Sequence, residues 1–125
     1  MRDIKFRAWN EVEEKMLNWY EFLDTNMKNT FIAPESTGLI LMQYTGLNDK
    51  NGKEIYEGDI VAIQFQRATK TKNALIEYSK KYAAFIITHT KETKHENENL
   101  GDYQMQNFEV IGNIYDNPEL LKEGE

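Results

Sequence analysis

The sequence predicts a mainly-β protein: a small bent sheet or SH3-like barrel with extra hairpins and a short C-terminal helical turn. Three observations predict it. Apolar and polar residues alternate with a period of two in several short runs. Glycine-bearing bends separate those runs. A Pro-Glu-Leu-Leu stretch follows the last of them. With 125 residues, the chain fits one domain, residues 1–125, around a single core.

In residues 3–9, Ile4, Phe6 and Ala8 alternate with Lys5 and Arg7, the pattern of a half-buried strand. Met16 to Tyr20 can pair back across the polar stretch Asn10–Lys15, and a strand-to-helix reading of 11–23 is the alternative. Residues 24–38, rich in Asp, Asn, Thr, Ser and Pro, read as loop. Gly38 to Tyr44 reads as a buried strand. Asn51-Gly52 is a type I′ hairpin signal, because both central residues of that turn take positive φ. Glu54-Ile55-Tyr56 is a short extended piece, Glu57-Gly58-Asp59 a second turn, and Ile60 to Phe65 a strand rich in β-branched residues.

Residues 66–73 read as a polar, basic loop. Ala74–Tyr78 and Ala83–Thr88 form a further predicted hairpin with its turn at Ser79–Tyr82, and residues 89–99 read as a polar loop. Phe108 to Tyr115 is the last strand, with Phe108, Val110, Gly112 and Ile114 on one face. Asn117 is placed to cap a helical turn that opens on Pro118 and docks through Leu120 and Leu121.

Apolar residues make up 40% of the chain and aromatics 12%, enough for a folded core. There is no cysteine, which excludes disulfides, thiolate catalysis and cysteine-ligated metals. The charged start Met1-Arg2-Asp3-Ile4-Lys5 is unlike a secretory signal, and no apolar run approaches the ~20 residues that span a bilayer. We therefore expect a cytoplasmic protein without membrane contact.

Three blocks then look familiar: the opening Arg2-Asp3-Ile4-Lys5-Phe6-Arg7-Ala8-Trp9, the central stretch from Leu41-Met42-Gln43-Tyr44-Thr45-Gly46-Leu47 through Asp49-Lys50-Asn51-Gly52-Lys53 to Tyr56-Glu57-Gly58-Asp59-Ile60-Val61, and the closing Glu109-Val110-Ile111-Gly112-Asn113-Ile114-Tyr115 with Asn117-Pro118-Glu119-Leu120-Leu121. In this order they resemble the YopX family of phage and prophage proteins of Gram-positive bacteria. The resemblance implies a mostly-β fold and assembly into homo-oligomers inside the host cell. It implies no biochemical activity and supplies no catalytic residues to carry over. Residues 21–37 and 66–107 match no motif of the family.

The residues themselves favour a binding protein over an enzyme. Glu54, Glu57 and Asp59 are explained by turn chemistry, and acid–base work needs a partner at a defined distance. His89 and His95, with Glu92, Glu96 and Glu98, match no metal-ligand spacing, and a solvated loop explains them. Ser36 and Ser79 lie in no nucleophile elbow, and no phosphate-cradling loop is present. No cofactor is implied. The net charge of −6 opposes polyanion binding, with one exception. Arg67, Lys70, Lys72, Lys80 and Lys81, with Tyr78 and Tyr82, could grip single-stranded nucleic acid through phosphate neutralisation and base stacking. The leading expectation is a self-associating accessory module that binds a phage or host protein. Nucleic-acid binding by the basic 67–82 hairpin is the alternative. A third reading, an acidic inhibitor of a host protein, rests on the acidic segment 101–125.

Overall fold

The computed structural model describes residues 2–64, 70–89 and 98–121. Its strands are β1 (Phe6–Asn10), β2 (Lys15–Leu17), β3 (Leu39–Asn48), β4 (Glu54–Tyr56), β5 (Asp59–Gln64), β6 (Thr71–Ser79), β7 (Ala84–His89), β8 (Glu98–Asn99) and β9 (Phe108–Asn113). They form two sheets, ordered β2-β1-β3-β4 and β8-β7-β6-β5-β9, antiparallel throughout. The mainly-β expectation holds.

β-branched and apolar residues build the larger sheet for the usual reason: they pack well on a pleated surface. Val61, Ile63, Ala74, Ile76, Ile87, Leu100 and Phe108 bury together, and Ile55 of β4 joins them from the other sheet. The sheets are joined at Gly58. Its N–H donates to the Ile76 carbonyl at 2.8 Å, and its own carbonyl accepts from Ile114 N–H at 2.8 Å. At φ +85°, this position favours glycine.

A second cluster, Ala8, Leu17, Phe22 and Leu39, lies beneath the smaller sheet's excursion. There the loop expected over 24–38 is corrected. Helix α1 (Trp19–Leu23) starts in a capping box between Asn18 and Glu21. Helix α2 (Met27–Ile32) starts at Asn26, whose side chain accepts from Asn29 N–H, and a 3-10 turn follows at Pro34–Ser36. Polar composition suggested a loop, but tertiary contact overrides it. Phe31 packs edge-on against Phe6 at 5.2 Å and against Phe22 at 6.1 Å.

The Asn51–Gly52 turn also differs from expectation. Gly52 takes φ +84°, but Asn51 does not take positive φ, so the turn is not type I′. Asp49 is the reason. Its Oδ1 accepts from the N–H groups of Asn51 and Lys53, both at 2.9 Å, and holds the loop in a different closure. At the C-terminus, Asn117 turns its Oδ1 back onto Asn113 N–H at 3.2 Å. The turn Pro118–Leu121 is 3-10 rather than α, and Asn73 donates to the Leu120 carbonyl at 2.9 Å.

Candidate functional site

The three sequence blocks meet where the two sheets join. Arg7 leaves β1 and reaches Asp59 at the start of β5, Nη2 to Oδ1 at 2.8 Å. The same nitrogen donates to the Glu57 carbonyl at 3.0 Å, and the guanidinium lies 4.9 Å from the Tyr56 ring centroid. Asp59 Oδ2 accepts from Tyr56 N–H at 2.8 Å. Trp9, two residues along β1, stacks on Tyr115 of the closing block at 5.2 Å and 15°.

Burial pushes the Asp59 carboxyl up, and Arg7 and Tyr56 N–H oppose that push without cancelling it. Glu57 is also raised by burial, against the N–H of Gln43 and the charge of Arg7. Two raised carboxyls beside an arginine would attract attention in an open cleft. Asp59, however, is only 2% exposed and its oxygens bond to Arg7 and Tyr56. This cluster holds the sheets together and leaves Asp59 no access for a substrate.

Two surface features remain. The first is the outer face of α1 and α2. Tyr20, Leu23, Phe31 and Ile32 are 75%, 42%, 47% and 71% exposed there. The second is an open cleft of about 630 Å³ between the sheets. Leu47, Phe85 and Leu100 line it, with Gln43 and Thr45 of β3, and Tyr78 and Ala83 of the β6–β7 hairpin. Arg2 and Glu57 also border it.

The described basic residues lie at the two ends of β6. Arg67 lies outside the described residues. Lys70 and Lys72 are exposed at the start of β6. Lys80 and Lys81 are exposed in the turn beyond its far end, with Lys81 5.2 Å over the Tyr82 ring. At roughly 3.3 Å per residue, Lys72 and Lys80 stand about 26 Å apart. Tyr78, 44% exposed, packs edge-on against Phe85 at 5.4 Å, beside the turn and on the cleft wall. The structure thus brings Tyr78, Lys80 and Lys81 together and sets Lys70 and Lys72 apart. His89 ends β7, and His95 lies outside the described residues. Among the described residues no group of three or more His, Asp or Glu could hold a metal ion. Among them, too, no helix is long and apolar enough to cross a membrane.

The cleft and the α1–α2 face were not legible as sites. Leu47, Phe85 and Leu100 come from separate strands and a turn, so no local spacing marks them. The α1–α2 face did leave a signal: large apolar residues recur at 19, 20, 22, 23, 27, 31 and 32, more than one buried stripe needs.

Fold and surface together define a small mainly-β protein whose three sequence blocks meet at the sheet junction. Its relationships agree with this. The model of the YopX family, described as YopX protein, matches residues 5–122, so the chain belongs to that family. The crystal structure of protein EF1440 from Enterococcus faecalis is similar at 27% identity and a TM-score of 0.63, over 98% of this chain and 100% of that one. The crystal structure of protein yopX from Bacillus subtilis is similar at 21% identity and a TM-score of 0.62, over 100% of both chains. No curated protein matches the chain.

Proposed function

We propose that this YopX-family chain is a non-enzymatic accessory protein of a phage or prophage, acting in the host cytoplasm by self-association. One observation carries the reading. Four large apolar side chains, Tyr20, Leu23, Phe31 and Ile32, stand exposed on a single two-helix excursion. Exposed apolar surface gathered in this way marks an interaction site. Fully burying a side chain of this size against a second copy contributes about 1.5–3 kcal/mol.

The face is well suited to a self-complementary contact, because its inner side is already anchored. Phe22 is fully buried and Phe31 is wedged against Phe6, so the outer atoms are presented on a supported surface. Sedimentation velocity at micromolar concentration tests the reading. The wild-type chain is expected to sediment as an oligomer, and Tyr20→Glu with Ile32→Glu as a folded monomer. A monomeric wild type, or an oligomer indifferent to both substitutions, overturns it.

A further inference from the structure

We propose that Asn51 is a site of spontaneous deamidation, gated by the Asp49 closure of its turn, and that the isoaspartate it yields loosens the hold of that turn on β9. This site is separate from the α1–α2 face and does not depend on self-association. The chemistry is intramolecular and consumes only water. The Gly52 backbone nitrogen, once it has given its proton to hydroxide, attacks Asn51 Cγ. The N–Cγ bond forms, the Cγ–Nδ2 bond breaks, and ammonia leaves with a proton from water. Water then opens the resulting five-membered imide. Attack at Cγ gives aspartate. Attack at the backbone carbonyl breaks the original peptide bond and gives isoaspartate, whose main chain runs through Cγ and is one methylene longer. Nothing is oxidised or reduced.

Sequence and structure single out this asparagine. Asn51 is the only one followed by glycine, which has no Cβ to shield the attacking nitrogen. Asn51 and Gly52 are both exposed, and nothing lies within 4 Å of where a Cβ would stand at Gly52. Other exposed asparagines commit their side-chain oxygens to backbone N–H groups: Asn18 to Glu21, Asn26 to Asn29, Asn99 to Gly101. Among the described residues, the Asn51 side chain makes no hydrogen bond. The folded turn nevertheless restrains the reaction. Gly52 N–H donates to the Asp49 carbonyl at 3.0 Å, so the attacking nitrogen keeps its proton engaged. Asp49 Oδ1 holds the N–H groups on either side, those of Asn51 and Lys53. Attack therefore waits for local opening, which an exposed turn undergoes more readily than a core strand.

The product cannot re-form that closure. The added methylene lies between residue 51 and the N–H groups of Gly52 and Lys53, so Asp49 loses the register in which it accepts from all three. The new carboxylate also stands close to that of Asp49, and like charges disfavour each other. Asp49 is the link to the larger sheet. Its Oδ2 accepts from Val110 N–H at 2.9 Å, while the adjacent Lys50 N–H donates to the Phe108 carbonyl at 3.0 Å. A change at residue 51 reaches β9 through these two bonds.

The test ages the full chain in mildly alkaline buffer, both native and in guanidinium chloride. Peptide mapping by mass spectrometry follows each asparagine, and isoaspartyl methyltransferase labelling measures isoaspartate. Asn51 should convert before any other asparagine, mainly to isoaspartate, and about tenfold or more faster in denaturant than in the native chain. In the aged native chain the amide resonances of Lys53 and Val110 should shift while that of Ala8, in the smaller sheet, stays in place. N51Q should suppress both the product and the shifts. Circular dichroism confirms that this exposed variant is folded. Earlier conversion of another asparagine, equal rates in native and denatured chain, an isoaspartate form with Val110 unmoved, or ageing shifts that persist in N51Q each overturn the proposal.

Discussion

Replacing Arg7 by Met tests the junction of the two sheets. The Arg7–Asp59 pair is 2.8 Å apart, with side chains 13% and 2% exposed. At an effective dielectric near 20, the attraction is about 6 kcal/mol at that distance. Desolvating the two charges costs several kcal/mol each, so the intact pair is close to neutral for stability. The variant is not neutral, because Asp59 is left buried without its cation. The expected loss is about 3–5 kcal/mol at pH 7. It also has a pH signature. Burial already raises the Asp59 carboxyl, and loss of Arg7 raises it further. A group whose folded pKa is raised contributes stability that is fully present below its unfolded value and lost as pH rises through the folded value. The penalty of R7M should therefore shrink on acidification from neutrality, by at most about 1.4 kcal/mol per pH unit. Urea unfolding of wild type and R7M at pH 7 and pH 5 measures both effects. R7M/D59N should lose the pH dependence, since the amide cannot take up the proton. A penalty below about 1 kcal/mol at pH 7, or one equal at both pH values, would refute the account.

Asp49 should behave in the opposite sense. Burial would raise its carboxyl, but the N–H groups of Val110, Lys53 and Asn51 and the Lys53 charge outweigh burial and hold it below the usual range. Its contribution is thus present above the unfolded value and lost as pH falls through the lowered one. D49N should cost about 1–3 kcal/mol at neutral pH and show a shallower acid transition than wild type in thermal melts. Gly58→Ala combines φ +85° with a Cβ only 2.9 Å from Met42 Sδ, so a loss of about 1–3 kcal/mol is expected in denaturant titration, and a neutral variant would show that the strain relaxes. The Tyr56 phenol is pushed up to about 12 by burial and by Glu54. Ultraviolet titration should therefore find a phenol still protonated where an ordinary tyrosine has ionised, and Y56F should remove that late component.

Most strands were legible because period-two alternation and glycine turns act locally. β5, β6 and β7 fall within a few residues of expectation. What was not legible depended on distant partners. Near Asn26 the local signals are only a capping side chain and a few apolar residues inside a polar stretch, which a loop also accommodates. α2 exists because Phe31 finds Phe6 and Phe22, and contacts of that kind cannot be read from spacing. The turn at Asn51–Gly52 was visible, but its closure was not, since it is set by Asp49, whose other oxygen bonds Val110 N–H across the molecule at 2.9 Å. Arg7 and Asp59 each looked like ordinary strand and turn residues, and only the topology makes them a pair. The described part of the basic stretch is divided for a geometric reason: β6 runs between Lys72 near its start and Lys80 just past its end.

The edges of the larger sheet bear on how such a molecule can associate. An exposed edge strand offers unpaired N–H and C=O groups to another chain. On β9, however, Val110 N–H is taken by Asp49 Oδ2, Asn113 N–H by Asn117 Oδ1, and the Phe108 carbonyl by Lys50 N–H at 3.0 Å. Two side chains and one backbone group from neighbouring turns thus occupy bonding positions along that edge. Strand addition at β9 would have to break all three. Association through side-chain burial on the α1–α2 face breaks none of them. The two routes separate experimentally. If D49N exposes the edge, it should promote concentration-dependent aggregation with a rise in strand signal, while Y20E/I32E should leave that aggregation untouched. Suppression of both kinds of association by Y20E/I32E would mean that the helical face and the edge act as one interface, and the distinction argued here would fall.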